Sequence, residues 1–244
     1  MITIEFPPKA GCRVRHMWLA PRPLLRSAAG FSVYYNCASI RAWPGFVREM
    51  KRKLEVDISA GGEAVVAAMG QDARYKLRRA QREGGQTIRD ADMEGFLGFY
   101  NEFATAKNLP QMDGSHLGVY WQHLIVTTMW IDNERASSHA WVISPEEKKA
   151  SLLWASSCFR QISGSQERNR LSRAHLLHYL DDMTTAAEAG CTTYDFGYFG
   201  QLSEEMEAVN RFKSQFPCTS VEVSTYTSLP LYVWTKLRRH AVQS

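Results

Sequence analysis

The chain has 244 residues, of which 45% are hydrophobic and 22% charged, with 29 Lys+Arg against 25 Asp+Glu. That composition excludes a disordered chain, and the length allows one large domain or two small ones with a core that needs no cysteine framework or structural metal. A formal charge of +4 is too small by itself to specify a nucleic-acid partner, and no apolar run reaches the roughly 18 residues of a membrane span.

The five cysteines (Cys12, Cys37, Cys158, Cys191, Cys218) are odd in number and scattered, which points to neither a disulfide scaffold nor a zinc site. At the N-terminus, Glu5, Pro7 and Pro8 stand where a secretory leader would need unbroken apolar sequence, so a cytoplasmic location is expected. Residues 1–60 are punctuated by Pro7, Pro8, Pro21, Pro23 and Pro44 and show one clear strand, Phe31 to Cys37. They read as a short irregular N-terminal subdomain, followed by one larger domain over residues 61–244. In that domain Glu63 to Glu83 is proline-free and stops at Gly84-Gly85, which predicts a single helix. A strand is expected at Gln86 to Arg89, and Asp92 opens a helix in which Phe96, Phe99, Tyr100 and Phe103 recur at helical spacing. Leu124 to Ile131, Ser137 to Ile143 and Ala150 to Phe159 are three strand-like runs with short links, which predicts an antiparallel meander. Leu171, Ala174, Leu177, Leu180, Met183 and Ala187 mark an amphipathic helix closed by Gly190, and Cys191 to Phe196 returns as a strand, so a crossover is implied. Ser203 reads as the cap of a last helix that carries Met206, Val209, Phe212 and Phe216 inward; strands at Val221 to Thr227 and Leu231 to Thr235 complete the chain.

The resulting order predicts an α/β fold: a mixed, mostly antiparallel central sheet flanked by helices. It is similar to the arrangement of the acyl-CoA N-acyltransferases (GNAT), in which two neighbouring strands part and the acyl donor lies in the gap. Three segments sharpen the resemblance. Tyr194-Asp195-Phe196-Gly197, followed by Lys213 within Arg211-Phe212-Lys213-Ser214-Gln215-Phe216, resembles the "Y-D-F-G-G … F-K-x-x-F" signature of the FemABX-type aminoacyl and peptidyl transferases. Arg74 to Gly84 is similar to that family's "R-x-x-I-R-x-A-x-x-x-G" helix, and the helix ending at Ala189-Gly190 sits where the family places it. Tyr198 replaces the second glycine of the signature, and Pro217 stands where glycine usually follows the last phenylalanine. FemABX enzymes proper contain two GNAT-like domains. Here one complete domain fits, and residues 1–60 read as a remnant of the first or as a dimer or substrate element.

Acyl transfer to an amine requires a cradle for the donor's phosphates, an acceptor for the amine's proton and a stabiliser for the oxyanion. Arg160, Gln161, Gly164, Ser165, Arg168 and Arg170 are the candidate cradle, because glycine and serine permit close backbone approach and a helix start favours phosphate. Gln161 and Gly164 match the first two fixed positions of the GNAT pyrophosphate loop Q-x-x-G-x-G/A, whereas Gln166 misses the third; an exposed polar loop is the alternative. The resemblance implies that Lys213 contacts the donor's phosphate or the developing negative charge. Asp195 is a candidate to accept a proton or orient the amine, and equally to hold the splayed strand through backbone amides; Tyr194 and Tyr198 are candidate general acids. Arg74, Arg78 and Arg82 make a stripe along one helix face that could grip a pyrophosphate or a tRNA backbone, or simply face solvent. His175 and His178 form an i, i+3 pair without a metal-site pattern and read as core or surface histidines.

The resulting expectation is a cytosolic N-acyltransferase that moves an acyl or aminoacyl group onto an amine of a small molecule or cell-envelope precursor. No metal or permanently bound cofactor is expected; acyl-CoA is favoured as co-substrate over aminoacyl-tRNA. The contrasting reading is a non-catalytic RNA-binding module that uses the arginine stripe. The exposed sheet edges and the aromatic segment Leu231-Tyr232-Val233-Trp234 suggest a surface through which two copies could pair as a homodimer.

Overall fold

The first 60 residues hold more strand than their prolines suggest. The structure, a computed structural model, describes residues 1–9, 12–158, 162, 164–198 and 204–243. Four strands precede residue 60: β1 (Ile2–Lys9), β2 (Cys12–Trp18), β3 (Phe31–Cys37) and β4 (Phe46–Asp57). Only β3 is evident from the sequence. The first part of β4 is largely exposed and carries Arg48, Lys51 and Arg52, which masks its strand character until Leu54 and Val56 turn inward.

The chain divides into two compact units, Met1–Lys53 with Ser220–Ser244, and Leu54–Thr219. Within the first unit the strand order is β1-β2-β3-β10-β4, where β10 is Cys218–Ser228. β1 and β2 are antiparallel, β2 and β3 parallel, and β3 and β10 antiparallel. Met17, Ala20, Tyr34, Cys37 and Tyr226 form its core. The strand expected over Leu231 to Thr235 is instead part of a helix, Leu229–Gln243. Pro230 sits in its first turn, where a missing N–H costs nothing, and the consecutive apolar residues are shared around the helix: Leu231 is buried, while Tyr232 and Val233 are exposed. The strand edge expected to pair two copies is therefore not formed by this segment.

The second unit contains α1 (Gly61–Ala68), α2 (Gln71–Arg82), β5 (Gln86–Arg89), α3 (Met93–Ala106), α4 (Gly114–Trp121), β6 (Ile125–Ile131), β7 (Glu134–Ser144), β8 (Lys149–Ser157), α5 (Ser165–Glu188), β9 (Thr193–Tyr198) and α6 (Glu204–Lys213). The helix in the first unit is thus α7. The single helix expected over Glu63 to Glu83 is broken between α1 and α2, where Met69 and Gly70 are extended (ψ 153° and 158°) and Met69 is buried. Asp92 caps α3 as expected, accepting from the Gly95 amide at 3.0 Å. The helix α4 was not expected; Asp113 caps it, accepting from the Ser115 amide at 3.1 Å.

Strand order in this unit is β4-β9-β8-β7-β6-β5. The meander β6-β7-β8 is antiparallel, and β8 and β9 are parallel across the crossover helix α5. The core collects Leu171, Ala174, Leu177 and Met183 of α5 with Trp141, Tyr194 and Phe196 of the sheet. Full burial of each large apolar side chain contributes about 1.5–3 kcal/mol. One feature of the sheet positions the site. Among the described residues β8 and β9 pair with each other at Lys149↔Thr193, Ala150↔Tyr194 and Ser151↔Asp195; beyond these β8 runs on to Ser157 beside β7, and β9 runs on to Tyr198, with no further pair between the two. Two neighbouring strands thus part, a feature of the arrangement that the element order resembles.

Candidate functional site

The parting of the strands is built around Asp195. Its carboxylate is fully buried and accepts from the Ser151 hydroxyl (2.7 Å to Oδ2) and from the Gly197 amide (2.9 Å to Oδ1), tying the last paired position to the turn beyond it. Gly197 has φ +86°, a left-handed conformation that disfavours any side chain, and a Cβ there would lie 3.6 Å from Lys213 Nζ. The geometry thus favours the strand-holding role of Asp195 over a proton-accepting one. Asp195→Ala leaves the buried Ser151 hydroxyl and the half-buried Gly197 amide without their acceptor and is expected to destabilise the protein by about 2–4 kcal/mol. Urea denaturation checks this, and a change under about 0.5 kcal/mol would contradict the role.

Lys213, at the end of α6, is only 7% exposed, although lysine is seldom buried. Its ammonium donates to the Tyr198 carbonyl at 3.0 Å and stands 5.7 Å from the centroid of the Phe196 ring. It lines a cavity of about 660 Å³ together with Asp72 and Lys76 of α2, Phe103 and Lys107, Ala155 and Ser157 of β8, Ser172, His175 and Tyr179 of α5, and Val209, Arg211 and Phe212 of α6. Among the described residues four cations face this cavity against one carboxylate, Asp72, which is paired with Lys76 at 2.6 Å. Its apolar wall comes from Phe103, Ala155, Tyr179, Val209 and Phe212. Such a lining suits a ligand with both anionic and apolar parts.

Other expected site residues fall elsewhere. Gly164 caps α5 and Ser165 is its first residue, but Arg168 donates to the Ile162 carbonyl (2.8 and 3.1 Å), and Arg170 is held by Glu167 and Asp132. Those carboxylates push the Arg170 guanidinium further up, Glu167 first. Neither arginine lines the cavity; Arg160 and Gln161 lie outside the described residues, as does Ser203. Arg74, Arg78 and Arg82 lie along α2, with Arg78 and Arg82 exposed, yet the residue of α2 that reaches the cavity beside Asp72 is Lys76. Tyr194 is fully buried among Trp141 and Phe196 (centroids 6.3 and 6.0 Å), and burial pushes its phenol well up, so it serves the core and not as a general acid in the cavity. Tyr198 is 40% exposed, and it is its backbone carbonyl that engages Lys213.

His175 and His178, expected as core or surface histidines, belong to a buried polar cluster. His175 lines the cavity and is 8% exposed; behind it His139, His178 and Asp182 are fully buried. His175 Nε2 is 2.9 Å from His139 Nε2, His139 Nδ1 is 2.6 Å from Asp182 Oδ2, and Thr127 donates to Asp182 Oδ1 at 2.7 Å. His178 bridges Thr127 (3.0 Å) and Ser137 (2.7 Å) and stacks on His139 at 3.8 Å, the rings 3° from parallel. Desolvation pulls His139 down to about 3 and His175 and His178 well below the ordinary histidine value. It pushes Asp182 up to about 6 against the opposing pull of His178 and Thr127; Tyr194 and Trp141 also favour its ionised form without hydrogen bonds of good geometry. Among the described residues, His139, His178 and Asp182 bring ligand atoms within 4.8 Å of one another, a spacing open to a metal ion. Those atoms are already engaged in hydrogen bonds within the cluster, so its chemistry is that of shared protons.

No protein-family model matches the chain, and no curated protein is significantly similar to it. Among solved structures, FemX superposes with a TM-score of 0.59 at 14% identity, over 83% of this chain and 68% of FemX. L-PGS from Bacillus licheniformis gives 0.53 at 13% identity over 87% and 74% of the two chains. The C-terminal domain of a putative lysylphosphatidylglycerol synthetase from Agrobacterium fabrum gives 0.51 at 14% identity, over 83% and 69%. The chain therefore shares its fold with FemX, as the Tyr194-Asp195-Phe196-Gly197 and Lys213 segments led one to expect.

Proposed function

We propose that the protein is an N-acyltransferase that moves an acyl or aminoacyl group from an activated donor, acyl-CoA in first place, to an amine of a small molecule or cell-envelope precursor. The observation that carries this reading is the parting of β8 from β9 after Ser151↔Asp195, beside a cavity that gathers Lys213, Lys76, Lys107 and Arg211 against one apolar wall. Cations there would hold the donor's phosphates, the apolar wall its acyl chain, and Lys213 would stabilise the charge that develops on the carbonyl oxygen.

An aminoacyl-tRNA donor is the second reading, favoured by Arg78 and Arg82, which leave an exposed basic stripe on the helix that also lines the cavity. Thermal unfolding with acetyl-CoA, longer acyl-CoAs, charged tRNA and uncharged tRNA separates the two. A CoA ester at about one hundred times its Kd should raise Tm by roughly 5–10 °C. Preference for charged tRNA moves the donor to the second reading. Silence towards all donors, with salt-sensitive binding of uncharged tRNA, would contradict transfer and support the RNA-binding alternative.

A further inference from the structure

We infer that His175 is the base that takes the proton from the acceptor amine, and that His139 and Asp182 form a relay that fixes it in the competent tautomer. This rests on the acyltransferase reading and names the base that reading lacks.

What each group can donate fixes where the protons lie. An ionised carboxylate only accepts. Asp182 Oδ2 lies 2.6 Å from His139 Nδ1, so that nitrogen carries the proton and His139 Nε2, in the neutral ring, is the acceptor. Among the described residues the partner that nitrogen faces is His175 Nε2 at 2.9 Å, which must then carry its own proton. A neutral His175 with a protonated Nε2 leaves Nδ1 as its basic nitrogen. The second branch agrees: Thr127 donates to Asp182 Oδ1, so its oxygen accepts from His178 Nε2, and His178 Nδ1 accepts from Ser137. Every proton in the cluster is thus directed towards Asp182.

His175 stands at the one end of this relay that reaches the cavity, and its ring stacks on Phe212 (5.3 Å, 20°), the residue before Lys213. Base and oxyanion cation are thereby set in the same cavity. In the reaction the amine N–H bond breaks and His175 Nδ1–H forms as nitrogen bonds to the donor's carbonyl carbon. The bond from that carbon to the leaving sulfur or oxygen then breaks, and the leaving atom takes the proton from His175. While His175 holds the proton, its charge is shared through His139 with Asp182. Among the described residues the titratable groups that face the relay are His178, Tyr179 and Asp181 of α5, Tyr194 of β9 and, lining the cavity, Lys213, Lys76 and Lys107; Asp72 and Arg211 are the cavity's other charges. Desolvation keeps His175 unprotonated at neutral pH, and Asp182 ionises near pH 6, so single-turnover transfer, corrected for the fraction of acceptor amine that is neutral, should rise through about pH 6 and then level.

Two measurements test the inference. Nitrogen-15 NMR of the imidazoles in the unliganded wild-type protein at pH 7 should show His175 neutral with its proton on Nε2 and His139 with its proton on Nδ1. A His175 proton on Nδ1, an imidazolium, or added zinc binding at His139 would overturn the relay whatever the enzyme's activity. In single-turnover transfer, His175→Gln should lose at least about a hundredfold in rate with donor affinity unchanged. A loss of less than threefold would remove His175 as the base. If the expected tautomers are found but no amine or donor supports transfer, the acyltransferase reading fails and the assignment of a base fails with it. If transfer proceeds with His175 protonated on Nδ1, the relay alone fails.

Discussion

Lys213→Met is expected to lower transfer by about two to three orders of magnitude, the range found when a single pre-organised stabiliser of a developing oxyanion is removed. Methionine keeps an apolar stem against Phe196 and drops the charge, so the loss reports electrostatics more than packing. The physical basis is the burial of the ammonium. At 7% exposure it sits where screening is weak, and the left-handed turn at Gly197 brings it against the end of β9. Lys76→Met should cost less, because that ammonium is already shared between Asp72 and Gln215. Steady-state transfer rates with the preferred donor check both variants. Full activity in Lys213→Met would remove the lysine from the site.

The second large effect is on stability in acid. His139, His175 and His178 are all depressed by burial, so unfolding takes up their protons as pH falls below about 6.5. Their contribution to stability is present at neutral pH and is lost as pH falls towards their folded values. Asp181 and Asp182 work in the opposite sense. Both are raised to about 6, chiefly by desolvation, so between about pH 4 and 6 unfolding releases their protons and offsets most of the histidine uptake. Stability should therefore decline gently from pH 6 to 4. Below about pH 4 the aspartates are protonated in both states and the offset disappears, so the three histidines alone would give a slope of up to about 4 kcal/mol per pH unit. Urea unfolding at a series of pH values checks this. His139→Gln should remove about one proton from the steep limb, and an unchanged slope would contradict the assignment.

What was legible in the sequence is what is local. Asp195, Gly197 and Lys213 fall within one strand end and one helix, and the short links of the β6-β7-β8 meander fix its antiparallel pairing. The break between α1 and α2 was hidden because neither Met69 nor Gly70 forbids helix; the burial of Met69 favours the extended backbone. In α7, four consecutive apolar residues fit strand and helix alike, and Pro230 in its first turn was the one sign of helix. The cradle arginines show charge in the sequence but not their partners: Asp132, which holds Arg170, is 38 residues away. The histidine relay joins β7 to α5 across 36 to 43 residues. Its trace in the sequence was the i, i+3, i+7 spacing of His175, His178 and Asp182, one polar stripe on an otherwise apolar helix face.

The most direct test is the crystal structure of the protein bound to a non-transferable analogue of whichever donor the thermal measurements select. The account predicts the donor's phosphates among Lys213, Lys76 and Lys107, and its reactive carbonyl carbon in the gap between β8 and β9 within reach of His175. A donor bound away from that gap, with Lys213 and His175 touching none of it, would contradict the account.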